Sequence, residues 1–153
     1  MAEFSPKFKE ALSLVQKPGR YTGGEPGCIY KDKSKVDVRM AFCFPDTYEI
    51  GMSFLGEKIL YDILNRHENW WCERAFMPWT DMKVQMERLD IPLYCLESKD
   101  PLTDFDIVGF SLEYELCYTN VLAMLRLSGI PLRAADRDER WPLIIAGGPC
   151  VCN

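Results

Sequence analysis

The chain has 153 residues, 48% apolar and 27% charged, with a net charge of −5 and a pI of about 5.0. That is enough chain for one domain with a real core, and the composition is that of a soluble globular protein. The acidic balance argues against a nucleic-acid surface, no apolar run approaches a membrane span, and the N-terminus lacks the basic flank and apolar stretch of a signal peptide, so the expected setting is the cytoplasm.

Ser5-Pro6 predicts a helix start, and Phe8, Ala11, Leu12 and Val15 recur on one face until Pro18-Gly19. Residues 19–34, rich in glycine and polar side chains, read as a loop, so 1–34 is taken as an N-terminal helix and loop and 35–153 as the α/β domain. Val36–Phe44 is the first strand. The helix expected over Phe54–His67 carries an apolar stripe of Leu55, Ile59 and Ile63, with Leu60 and Leu64 beside it. Cys72–Met77 is a second strand, and Thr80-Asp81 is expected to cap a helix lined by Met82, Met86 and Leu89. Pro92–Leu96 is read as a third strand and Asp106–Ser111 as a fourth. The helix after that ends at Ser128-Gly129, and Leu143–Ala146 is the fifth strand. Strands alternating with helices predict an α/β class with a doubly wound, mostly parallel five-stranded sheet. A helix would be needed to cover the last strand, so the sequence is expected to be a piece of a longer protein. That strand is then a bare edge open to self-association.

Three loops leave carboxyl ends of strong strands, over Pro45–Ser53, Ser111–Glu115 and Gly147–Pro149. Open α/β sheets bind ligands at such places. The three meet only if the first and fourth strands are neighbours, which predicts the spatial order third, second, first, fourth, fifth. Gly51, Gly147 and Gly148 either let a ligand approach the backbone or simply make tight turns. Ser53 is a candidate anion contact. Asp46, Glu49, Glu113 and Glu115 either gather for acid–base work or cation binding, or solvate the loops. The lone histidine, His67, reads as a solvated helix end, and Trp70, Trp71, Trp79, Phe76 and Met77 as an aromatic cluster for packing or for a partner. The seven scattered cysteines read as reduced thiols, with Cys150-x-Cys152 the only close pair.

Asp46-x-Tyr48-x-x-Gly51, then Ser111-Leu112-Glu113, then Gly147-Gly148, resembles in order the D-x-H-x-x-G, S-x-L and G-G signatures of cobalamin-binding domains. Tyr48 stands where the cobalt-ligating histidine would be, and Glu113 where the signature has leucine. More specifically, Arg20-Tyr21-x-Gly23-Gly24-Glu25, Pro45-Asp46-x-Tyr48-Glu49-x-Gly51-Met52-Ser53, Tyr114-Glu115-x-x-Tyr118-Thr119-Asn120 and Ala146-Gly147-Gly148-Pro149-Cys150 look like the N-terminal part of an uncharacterised family of radical S-adenosylmethionine proteins. The resemblance runs from about Lys17 onward. It implies a cobalamin-binding-like accessory domain without the cobalt-ligating histidine. The implied cofactor-binding residues are Asp46, Tyr48, Glu49, Gly51, Ser53, Ser111, Glu113, Gly147 and Gly148. It also implies that the 4Fe–4S cluster and S-adenosylmethionine belong to a downstream domain, which is the expected partner. The competing expectation is a flavodoxin-like small-ligand or protein-interaction module with no catalysis of its own.

Overall fold

The computed structural model describes residues 4–152, and of Cys152 the backbone alone. Ser5 caps α1 (Pro6–Ser13), its hydroxyl accepting the Phe8 N–H at 3.2 Å while Pro6 opens the first turn. A single turn, α2 (Gly19–Thr22), interrupts the segment read as loop. Four strands follow in one parallel sheet: β1 (Val38–Phe44), β2 (Trp70–Phe76), β3 (Ile107–Ser111) and β4 (Leu143–Gly147). Their order is β2-β1-β3-β4, with β1 inside the sheet and next to β3, as the convergence of the three loops requires.

The strand expected over Pro92–Leu96 does not form. The segment does run beside β2, and the Leu96 N–H donates to the Arg74 carbonyl at 2.7 Å. Two carboxylates then take the next ladder positions. Glu97 Oε2 accepts the Arg74 N–H at 2.7 Å, and Glu73 Oε2 accepts the Ser98 N–H at 2.8 Å. Lys99 turns the chain through φ 68°, leaving only an isolated antiparallel bridge between Tyr94 and Pro101. Side-chain acceptors thus replace a backbone ladder along the β2 edge.

The helices between the strands are α3 (Tyr48–Ser53), α4 (Leu55–Asn65), α5 (Thr80–Leu89) and α6 (Tyr118–Leu127). Part of the loop expected over Pro45–Ser53 is therefore helical, and Phe54, in extended conformation, separates α3 from α4. The α5 cap is Trp79 rather than Thr80, because the Asp81 carboxylate is turned to the Met82 and Gln16 N–H groups. At the end of α6, Gly129 adopts φ 70°, and Ile130 N–H reaches back to the Leu125 carbonyl at 3.0 Å. That closure satisfies the last carbonyls and puts apolar Ile130 against the core.

One face of the sheet carries the main core. Ala41, Cys43, Ala75, Val108 and Phe110 pack there with Phe8 and Ala11 of α1, Met82 and Met86 of α5, and Met124 and Leu125 of α6. Full burial of each methionine contributes about 1.5–3 kcal/mol. The N-terminal helix shares this core, as do Val15 and Tyr21. Among the described residues, α4 is the one helix on the opposite face, packed through Tyr61 on Phe42 and Cys72 with Ile29 beside them.

The α4 surface turned inward is not the apolar stripe. Glu57, Tyr61 and Asn65 are buried, whereas Leu55, Ile59, Leu60 and Ile63 are 68%, 49%, 46% and 45% exposed. The polar residues go inward because each of two finds a specific partner. The Tyr61 hydroxyl accepts the Ile29 N–H at 2.8 Å, and the Asn65 amide bridges the Cys72 N–H and carbonyl at 3.1 and 2.9 Å. No helix among the described residues is long and apolar enough to cross a membrane.

Candidate functional site

At the carboxyl ends of β1 and β2 the chain is clasped by its own N-terminal segment. Asp46 Oδ1 accepts the Thr47 N–H at 2.6 Å, and its carbonyl accepts the Met77 N–H at 2.9 Å, tying the two loops together. α3 then presents Tyr48 and Glu49 to residues 17–28. The Tyr48 hydroxyl donates to Glu25 Oε1 at 2.7 Å. Arg20 Nε donates to Glu49 Oε1 at 2.8 Å, with Lys17 beside it at 3.3 Å. Burial, reinforced by the Glu25 carboxylate, holds the Tyr48 phenol well above its ordinary range. It is a neutral hydrogen-bond donor committed to Glu25.

Glu25 also accepts from the Cys28 thiol at 2.9 Å and from Arg74 at 3.3 Å. Arg74 is the hub of this region. Its Nε donates to Glu97 Oε1 at 2.7 Å, and its guanidinium lies 4.7 Å from the Tyr61 ring centroid. Gly51 closes the clasp, since a Cβ there would stand 2.3 Å from Phe76 Cε1. Ser53, at the exposed end of α3, bonds back to the Ile50 carbonyl at 2.7 Å.

The other expected residues lie on the open sheet face. Ser111 and Glu113 are bonded to each other at the end of β3, beside Gly147 and Gly148 at the end of β4. All four line the upper mouth of a groove of about 620 Å³. Its floor is apolar, with Met40, Phe42, Ile107 and Ile145, and its wall is Leu60 and Leu64 of α4. The nine expected residues therefore divide. Asp46, Tyr48, Glu49 and Gly51 form the clasp, Ser53 stands at its rim, and Ser111, Glu113, Gly147 and Gly148 form the groove mouth.

His67 is at the far end of α4, its ring 4.8 Å from that of Trp70. The aromatic residues disperse: Trp71 is buried and donates to the Ile29 carbonyl at 3.0 Å, Trp70 borders the groove and Trp79 is exposed beside Arg20. Among the described residues no group of three or more His, Cys, Asp or Glu is placed to hold a metal ion. Cys150 is buried, while the side chain of Cys152 lies outside the described residues.

A family model described as Radical SAM proteins, N-terminal, matches residues 56–153, from α4 through the groove to the end of the chain. The chain belongs to that radical SAM N-terminal family. It is also 24% identical over 117 residues to an uncharacterised protein, MJ0966, of Methanocaldococcus jannaschii, a match covering 76% of this chain and 20% of that protein. The chain thus spans about a fifth of the curated relative it matches. No solved structure matches.

The family match takes in Arg74, Glu97 and Glu57, none of which the motifs singled out. A signal was present: Glu73-Arg74 interrupts an otherwise apolar strand, and Glu97 directly follows an apolar run. Charges so placed are buried only when paired.

The two glycines at the end of β4 differ in kind. Gly148 has φ 107°, and a Cβ on it would stand 2.5 Å from the Leu112 carbonyl oxygen. Around Gly147 a Cβ would meet nothing within 4 Å. Gly148→Ala is expected to lower stability by about 2–3 kcal/mol through strain and the carbonyl clash. Gly147→Ala is expected to change it by less than about 0.5 kcal/mol. Urea unfolding of both variants checks the contrast, and equal losses would refute it.

Proposed function

We propose that this chain is the accessory N-terminal domain of a radical S-adenosylmethionine enzyme, cobalamin-binding-like in design and supplying no protein ligand to cobalt. The observation that carries the reading is Gly147, a glycine that no neighbouring atom requires, at the carboxyl end of β4 and the mouth of an apolar groove. Open backbone at that position suits close approach of a flat ligand. The groove below suits the apolar nucleotide tail, and the Ser111–Glu113 pair offers polar contact at the rim. A bound corrinoid would supply cobalt-centred alkyl-transfer or radical chemistry. The chain's own residues would orient it and shield it from water.

In this reading the groove and its rim would hold a corrinoid, and the chain's one histidine would not reach it. Tyr48 is turned inward to Glu25. His67 stands beyond the C-terminal end of α4, roughly 16 Å of helix away from the carboxyl edge of the sheet. The iron–sulfur cluster and S-adenosylmethionine belong, in this reading, to the part of the longer protein that follows.

Hydroxocobalamin titrated into the protein is expected to bind without the spectral shift of histidine ligation. Gly147→Val is expected to weaken that binding about tenfold while leaving the urea midpoint unchanged, since the new side chain enters open space. A histidine-ligated spectrum would overturn the assignment of Tyr48. Failure of the full-length, cluster-loaded protein to bind cobalamin would leave a structural domain with no cofactor of its own.

A further inference from the structure

α4 has a third side, turned away from both the sheet and the groove. Glu57, Tyr61 and Asn65 are buried against the sheet, and Gly56, Leu60 and Leu64 border the groove. At about 100° per residue, Leu55, Ile59 and Ile63 fall together on the remaining side, and all three are exposed. They form a row spaced by four residues, the ridge used in the commonest class of helix–helix packing. A second exposed row runs beside it at the same spacing, Lys58, Asp62 and Arg66, with charges alternating plus, minus, plus. Within the chain, Arg66 Nη2 reaches Asp62 Oδ2 at 2.5 Å, but that pair is solvent-exposed and contributes little to the fold.

We infer that this side of α4 is a self-complementary interface, on which a second copy of the same chain packs its own α4 antiparallel about a two-fold axis level with Leu60. Charge complementarity selects the partner, the direction and the register. A parallel pair on a two-fold axis would set Lys58 on Lys58 and Asp62 on Asp62, which like-charge repulsion penalises. An antiparallel pair centred at Asp62 would set Asp62 against itself and Lys58 against Arg66. Centred level with Leu60, midway between Lys58 and Asp62 in sequence, it sets Lys58 of each copy against Asp62 of the other, twice by symmetry. The same register brings the apolar rows together, with Ile59 nearest the axis and Leu55 and Ile63 on either side of it. A two-fold axis of this kind also places like flank against like flank, so the charged row meets its own copy and leaves the apolar row to pack. The row is thus its own complement, and repulsion disfavours the neighbouring arrangements.

α4 spans 11 residues, about 16 Å of helix. A contact of that length is smaller than a standard interface, so the expected dimer is weak, with a Kd on the order of 10–100 µM. It uses the side of α4 away from the groove and stands independently of the cofactor reading.

Sedimentation velocity of the full-length protein over about 1–200 µM is expected to show a monomer–dimer equilibrium. Ile59→Glu should weaken association at least about tenfold by burying a charge at the axis. Lys58→Glu and Asp62→Lys should each weaken it about fivefold. The double variant Lys58→Glu/Asp62→Lys should return to within about twofold of the parent, because the swap restores both pairs across the axis. All three positions are exposed, so the urea midpoint of each variant should stay close to that of the parent. A monomer throughout the range overturns the inference. So does a double variant no tighter than the single ones, or a dimer that survives Ile59→Glu, which would place the contact on another surface such as the β4 edge.

Discussion

Arg74→Met is expected to lower the stability of this domain by about 3–5 kcal/mol, the cost of leaving a buried charge without its partner. Arg74 is 6% exposed and Glu97 is 3% exposed. Burial pushes the Glu97 carboxyl upward, while Arg74, through its charge and its backbone and side-chain N–H groups, pulls against that shift. For Arg74 burial disfavours the charged form, but the Glu97 carboxylate outweighs it and holds the guanidinium protonated. Methionine keeps much of the volume and can lie against Tyr61, so the loss reports the missing charge more than a cavity. The same substitution frees Glu25, which accepts from both Arg74 and Tyr48. The clasp over β1 should therefore loosen along with the β2 edge. Adding Glu97→Gln to Arg74→Met should recover a large part of the loss, because a neutral amide can still accept the Arg74-position N–H now accepted by Glu97 Oε2. A double-mutant cycle by urea unfolding measures the coupling. A single-variant loss below about 1 kcal/mol would show that the pair is no more than a surface bridge.

The parts of the fold that were legible share a cause. Val36–Phe44, Asp106–Ser111 and Leu143–Ala146 are apolar runs bounded by turn residues, and three ligand-type loops constrained which strands are neighbours. The third strand was illegible because Pro92–Leu96 has the residues of a strand, and nothing local reveals that the Glu73 and Glu97 carboxylates would occupy the ladder. The α4 periodicity was real, but it marks a stripe without saying what the stripe faces. Tyr61 and Asn65 turned the helix over because their partners, Ile29 and Cys72, hold buried backbone groups that need satisfying. The motif order pointed to one edge of the sheet, where β1, β3 and β4 are neighbours. It did not reveal that Arg20 and Glu25 reach Glu49 and Tyr48, contacts 29 and 23 residues apart in sequence. Residues spaced like a cofactor signature here hold the fold together.

Glu57→Met is expected to stabilise the protein, by an amount that grows with pH. Glu57 is 1% exposed, and neither carboxylate oxygen has a hydrogen-bond partner. Burial pushes its carboxyl up to about 8, with Arg74 and Lys58 opposing the shift and Glu97 and Glu25 adding to it. The folded protein therefore carries Glu57 as a neutral acid at pH 7. In the unfolded chain the same group ionises near 4.5. The unfolded state gives up its proton first as pH rises, so stability falls between about pH 4.5 and 8 and levels off above. At about 1.4 kcal/mol per unit the full loss is roughly 5 kcal/mol. Methionine has nothing to ionise and no unpaired oxygens. The variant should gain little at pH 4 and about 4 kcal/mol at pH 8.5 relative to the parent chain. Glu57→Gln should remove the same pH slope but gain less, because an unpaired amide stays buried. Urea unfolding across pH 4 to 9 separates the two terms. A parent chain whose stability does not fall over that range, or a Glu57→Met variant that falls in parallel with it, would show that Glu57 is solvated or paired when the protein is in solution.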